Sequence, residues 1–122
     1  MDLTLRHPAP LRPGDRVAVV APASPPDPEK LEAGIRRLEA AGLIVERGRT
    51  LSAYRGYLAG DDRLRADELN HYLQRTDIRA IFCARGGYGC LRLLPLLDYE
   101  AAAHAPKLLV GYSDITALHL AL

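Results

Sequence analysis

The sequence predicts an α/β domain built on a mainly parallel sheet. Two observations carry this expectation. Short apolar, β-branched runs alternate with amphipathic helical stretches along the chain, and that alternation generates right-handed βαβ units with helices on both faces of a sheet. The apolar runs are also continuous, as in strands covered on both sides. At 122 residues the chain reads as one domain, large enough for a hydrophobic core.

Each element has its own signal. Arg12-Pro13-Gly14-Asp15 marks a turn, and residues 16–21 (RVAVVA) read as the first buried strand. A proline-rich loop occupies residues 22–28, where Asp27 is a good N-cap and Pro28 suits the first helical position. Residues 29–41 place Leu31, Ile35 and Leu38 on one helix face, and Gly42 supplies the stop. Residues 43–46 read as a second strand, followed by a loop over 48–60 that holds Tyr54 and Tyr57. A second helix follows Asp61 or Asp62, with Ala66, Leu69 and Leu73 on one face. Residues 78–84 (IRAIFCA) give a third strand ending at Arg85-Gly86-Gly87-Tyr88-Gly89. A leucine-rich helix is expected next, stopped or kinked near Pro95. Residues 107–110 (KLLV) form the fourth strand, and a fourth helix runs from Ile115. Its final residues carry no stop signal, so the sequence reads as part of a longer protein.

Composition narrows the function classes. The net charge of +1 gives no basis for a nucleic-acid or acidic-membrane partner. Arginine far outnumbers lysine, but the arginines are scattered among Asp and Glu along helical stretches, as on a salt-bridged surface. Cys83 and Cys90 fit neither zinc nor CxxC spacing and read as free thiols in a reducing cytoplasm; no metal is expected. Residues 1–12 are polar and hold two prolines, unlike a signal peptide, and no apolar run approaches membrane-span length. A soluble, cytoplasmic protein is the expectation.

In open parallel sheets, ligands bind beyond the carboxyl ends of the strands. Three loops meet that description: residues 22–28, 85–89 and 111–114. Ser113 sits at the strand-to-helix junction Val110-Gly111-Tyr112-Ser113-Asp114. A serine there can project its hydroxyl as a nucleophile, with the Asp114 amide and a helix N-terminus beside a developing oxyanion. Local sequence by itself favours a plain N-cap, since serine is among the best caps. The segment departs from the G-x-S-x-G elbow, because Ile115 stands where the second glycine would be. The glycines of residues 86–89 allow backbone to approach a ligand, or only a tight turn. Arg92 occupies the position where a dinucleotide fingerprint needs glycine, so no such cofactor is expected. His7, His71, His104 and His119 are each placed unsuitably for a general base to Ser113. A glutamine-amidotransferase-like site would need a cysteine at position 113.

Taken together, the segments Leu11-Arg12-Pro13-Gly14-Asp15, Arg65-Ala66-Asp67-Glu68-Leu69, Cys83-Ala84-Arg85-Gly86-Gly87-Tyr88-Gly89 and Gly111-Tyr112-Ser113-Asp114-Ile115-Thr116-Ala117-Leu118 resemble the serine LD-carboxypeptidases. That family includes muramoyl-tetrapeptide carboxypeptidases and the self-immunity peptidases for microcin C. The resemblance spans nearly the whole chain and implies a flavodoxin-like N-terminal domain over residues 1–122, with the C-terminal domain absent. It implies that Ser113 is the nucleophile, that the Gly87 and Asp114 amides form the oxyanion hole, and that Arg85, Gly86 and Tyr112 meet the substrate. The triad Glu and His would lie outside this sequence, leaving it inactive alone. The implied reaction releases terminal D-Ala from a murein tetrapeptide, without cofactor or metal, in a cytoplasmic homodimer. Two alternatives stand beside it: a peptidase for peptidyl nucleotides of the microcin C kind, and a flavodoxin-like binding module in which Ser113 only caps a helix.

Overall fold

The computed structural model describes residues 6–122. Part of the polar leader, on which the reading of no signal peptide rests, lies outside the described residues. Four strands, β1 (Arg16–Val20), β2 (Ile44–Arg47), β3 (Ile78–Cys83) and β4 (Leu108–Val110), form one sheet in the order β2-β1-β3-β4. Every pairing is parallel. The connections carry helices α1 (Pro28–Ala40), α2 (Asp62–Gln74) and α3 (Tyr99–His104), and α4 (Thr116–Ala121) follows β4. This is the strand order of a flavodoxin-like, doubly wound sheet. Among the described residues, no helix is long and apolar enough to cross a membrane.

The local reasons match the sequence closely for the first two helices. Asp27 accepts from the amides of Glu29 and Lys30, and Pro28 opens α1. Gly42, at φ +91°, ends that helix in the left-handed region that favours glycine. Asp61 accepts from the Leu64 amide and opens α2.

The main core lies on one face of the sheet. Ala18 and Val20 of β1 and Ile81 of β3 meet Ala66, Leu69 and Leu73 of α2, with Leu93, Ile115 and Leu118 completing the cluster. By strand alternation the other face carries Val17, Val19 and Phe82. There α1 buries only Ile35 fully, while Leu31 and Leu38 are half-buried and line a groove. The expectation that all strands are covered on both sides therefore holds for β1 but not for the rim strands. Ile44 of β2 and Val110 of β4 are exposed.

Between β3 and β4 the structure departs from the sequence reading. The leucine-rich stretch is a 3₁₀ helix over Cys90–Leu96 with Pro95 inside it. Pro95 has no amide to donate to an α-helical ladder, so a continuous α-helix is disfavoured there. The side chain of Asn70 then fixes the bend, donating to the Leu96 carbonyl at 2.9 Å and accepting from the Asp98 amide at 2.8 Å. Asp98 caps α3, a helix not expected from the sequence, through the Ala101 amide.

Leu69→Ala should destabilise the domain by about 2–5 kcal/mol because it opens a cavity in the core. Loss of the Asp27 cap in Asp27→Ala should cost about 1 kcal/mol; urea unfolding followed by circular dichroism measures both. A second expectation concerns acid. The Arg75 guanidinium binds Glu46 and Asp77 and holds both carboxyls below their ordinary range. Because their folded values are depressed, their contribution is present above the ordinary carboxylate range and disappears as pH falls through the lowered values. Denaturation midpoints should therefore drop on acidification, and by less in Arg75→Met.

Candidate active site

β3 and β4 pair in parallel with Phe82 opposite Val110, so their chains leave the sheet side by side. The chain leaving β4 turns sharply. Ser113 has φ +60° and is the one non-glycine residue with positive φ among the described residues. That conformation costs an L-residue about 1–2 kcal/mol. Ser113 opens a 3₁₀ turn, Ser113–Ile115, that leads into α4. Tyr112 flanks this turn, and no side chain caps either the turn or α4. The N-cap reading of Ser113 therefore fails: its side chain is exposed and caps nothing. The fourth helix also begins at Thr116, because the chain first passes through the tighter turn.

The departure from the G-x-S-x-G elbow has a packing cause. Ile115 is fully buried, and its Cγ2 lies 2.7 Å from where a Cβ on Gly111 would stand. The glycine before the elbow and the isoleucine after it thus form one tight contact with the core.

The glycine turn meets this elbow directly. A Cβ on Gly86 would stand 3.0 Å from the Ser113 Cβ, 3.1 Å from the Tyr112 carbonyl and 3.2 Å from the Asp114 amide nitrogen. Gly86 is buried, while Gly87, at φ +104°, is exposed above Ser24. Ser24, in the loop after β1, grips the turn twice. Its amide donates to the Gly86 carbonyl at 3.2 Å, and its Oγ accepts from the Tyr88 amide at 3.2 Å. The Asp114 carboxylate accepts from the Cys90 amide at 2.9 Å, tying the elbow to the far end of the turn. The three loops expected to converge at the carboxyl edge do so.

The remaining site candidates are placed to one side. Arg85 is exposed and donates to the Pro25 carbonyl at 2.9 Å. Tyr112 is 78% exposed. Both line a groove of about 680 Å³ with Phe82 and α1, beside the elbow rather than over it. His119 lies with Nε2 3.0 Å from the Leu109 carbonyl, and His71 stands edge-on to the Tyr72 ring. Both thiols are poor nucleophiles: burial pushes Cys83 up to about 12 and, with the Asp114 charge, raises Cys90 as well. Among the described residues, no three His, Cys, Asp or Glu side chains gather as a metal-binding set.

Sequence reasoning missed three contributors: Ser24, the Asp114 carboxylate and Arg65. Only Arg65 carried a legible signal. It falls at the helical spacing of Leu69 and Leu73, the apolar face of α2, where a charge is out of place.

Fold and site together define a doubly wound α/β domain with a strained serine elbow packed against a glycine turn. The chain belongs to the family described as LD-carboxypeptidase N-terminal domain, whose model matches residues 17–122. It is 44% identical over 115 residues to the "Probable murein peptide carboxypeptidase" of Bacillus subtilis (strain 168), covering 94% of this chain and 36% of that protein. It is 44% identical over 104 residues to the murein tetrapeptide carboxypeptidase of Pseudomonas aeruginosa, covering 84% and 34%. Among solved structures, a microcin C7 self-immunity protein in complex with aspartyl sulfamoyl adenosine superposes with a TM-score of 0.86 at 32% identity, covering 91% of this chain and 34% of that one. The chain thus spans about a third of the length of the relatives it matches.

Ser113→Gly removes a strained L-residue and loses no capping bond. The gain of about 1–2 kcal/mol from relieving the left-handed conformation is partly offset by about 0.5–1 kcal/mol from the more flexible unfolded chain. The variant should therefore unfold at an equal or slightly higher urea midpoint than the native domain. Ser113→Ala, which keeps the strained backbone and removes only the hydroxyl, should match the native midpoint; a loss of about 1 kcal/mol in that variant would restore the capping role.

Proposed function

We propose that this domain supplies the nucleophile of a cytoplasmic serine LD-carboxypeptidase that recycles cell-wall peptides. The observation that carries the reading is Ser113: strained at φ +60°, exposed and uncapped at a strand exit. Gly86 packs against it. Strain of this kind persists where the surroundings enforce it and concentrates at functional sites. The murein names of the relatives support the substrate, and the family resemblance supports the compartment and a homodimer.

In this mechanism the Ser113 Oγ attacks the carbonyl carbon of the L,D bond that links a diaminopimelate or lysine L-centre to terminal D-Ala. Its proton passes to a histidine, oriented by a glutamate, in the part of the protein beyond the matched third. The Asp114 and Gly87 amides receive the oxyanion of the tetrahedral intermediate. Collapse expels the D-Ala amine, which takes the proton, and water then hydrolyses the ester on Ser113. Arg85 and Tyr112, on the groove side of the elbow, contact the peptide. The domain alone leaves the serine without its base and is expected to be inactive.

A second reading rests on the superposition with the microcin C7 self-immunity protein. The same acyl chemistry would then act on a peptidyl nucleotide, and kcat/KM compared on the two substrates separates them.

Ser113→Ala in the full-length protein should fold normally and lose D-Ala release from murein tetrapeptide by at least about a thousandfold. Turnover within tenfold of the native enzyme would leave the domain a binding module.

A further inference from the structure

Arg65 is buried, with its side chain fully shielded from solvent. Its four contacts are spread over the carboxyl edge of the sheet. Nε donates to the Gly60 carbonyl at 3.1 Å, and Nη1 donates to both Pro22 at 2.8 Å and Gly89 at 3.0 Å. Nη2 meets the Asp62 carboxylate at 2.5 Å, and Arg92 binds the same carboxylate from outside. The three carbonyls belong to three different loops: those after β1, before α2 and after β3. One of these loops carries Ser24, which holds Gly86 and Tyr88, and another is the glycine turn itself.

The turn is built around this guanidinium. A Cβ on Gly89, at φ +123°, would stand 2.7 Å from Nη1. A side chain there would push the arginine out, so glycine and arginine require one another. Stability is a weak reason to bury such a charge, because its desolvation cost can exceed what its partners return. Burial does lower the Arg65 pKa, an effect opposed by Asp62, but a guanidinium stays charged in a protein. A planar fork is suited to holding several backbone carbonyls in fixed relation, as a lysine ammonium is not.

We propose that Arg65 is a positioning residue for the reaction, fixing residues 86–89, and with them the Gly87 amide, against the Ser113 elbow. The inference rests on the nucleophile and oxyanion roles given above. It places a determinant of transition-state stabilisation on the buried face of α2, away from the substrate.

The test uses full-length protein, native and Arg65→Lys, at a temperature where both are folded by circular dichroism. A fluorophosphonate probe reports the oxyanion geometry directly. Ser113 Oγ bonds to phosphorus, fluoride leaves, the serine proton goes to the base, and the phosphonyl oxygen occupies the oxyanion position. Arg65→Lys should lower both the labelling rate and kcat on murein tetrapeptide by roughly ten- to hundredfold, with KM within about twofold. If Arg65→Lys does not fold, Asp62→Asn leaves the guanidinium in place but loosens its Nη2, and it should lower the same two rates by about threefold or more. Folded variants with native labelling and native kcat, or with a rise in KM alone, overturn the proposal and leave the nucleophile reading standing. Native protein that is not labelled at Ser113 overturns both.

Discussion

Phe82 and Val110 are partners in adjacent parallel strands, and the arrangement of the carboxyl edge depends on that register. Two chains leave the sheet within one strand spacing of each other, and both must turn there. Gly86 passes with its Cα hydrogens against the Ser113 Cβ and the Asp114 amide nitrogen. A Cβ at 86 would crowd these atoms at 3.0–3.2 Å, and after Tyr112 the backbone turns with Ser113 in the left-handed region. Everything else at this edge works to hold two backbones at that separation.

Loops at a strand exit lose the sheet ladder, so their buried polar groups need other partners. Here α2 supplies them from its buried face. Arg65 donates to three loop carbonyls, and one turn later Glu68 accepts from the Thr50 amide and hydroxyl. Thr50 Oγ1 in turn accepts from the Ala21 amide at 2.8 Å. Gly48 makes room for that carboxylate, since a Cβ there would stand 2.6 Å from it. One helix thus extends the hydrogen bonding of β1 beyond its end, where ordinary strand pairing stops. Among the described residues, no buried side-chain nitrogen or oxygen lacks a partner.

The legible parts of the sequence were those set by local chemistry. The Asp27-Pro28 cap, the Asp61 cap and the four apolar strands follow from residues within one turn of each other, and their spacing gives the sheet. Less legible were features that depend on distant backbone. The stretch after Gly89 looks helical by its leucines, but Pro95 and the Asn70 side chain on a different helix make it 3₁₀ and bent. By local residues alone Ser113 reads more as a cap than as a nucleophile, because a dihedral angle leaves no mark on residue identity. Arg65 looked like one more surface arginine, although its register with Leu69 and Leu73 already placed it on the buried face. Ile115, a mismatch when compared with a glycine motif, is the core residue that shapes the elbow.

The same geometry bears on why a serine stands at position 113. Glycine would adopt φ +60° at no steric cost, and an uncapped helix gains nothing from a hydroxyl that bonds no amide. The fold therefore carries about 1–2 kcal/mol of strain there without a structural return. Neither thiol nearby is an alternative nucleophile, because burial keeps Cys83 and Cys90 protonated at neutral pH. What distinguishes serine from glycine at this position is its Oγ, on an exposed residue at the edge where parallel sheets bind ligands. A residue that costs stability and caps nothing is poorly explained by a purely structural role, and this is the ground on which the proposed nucleophile stands.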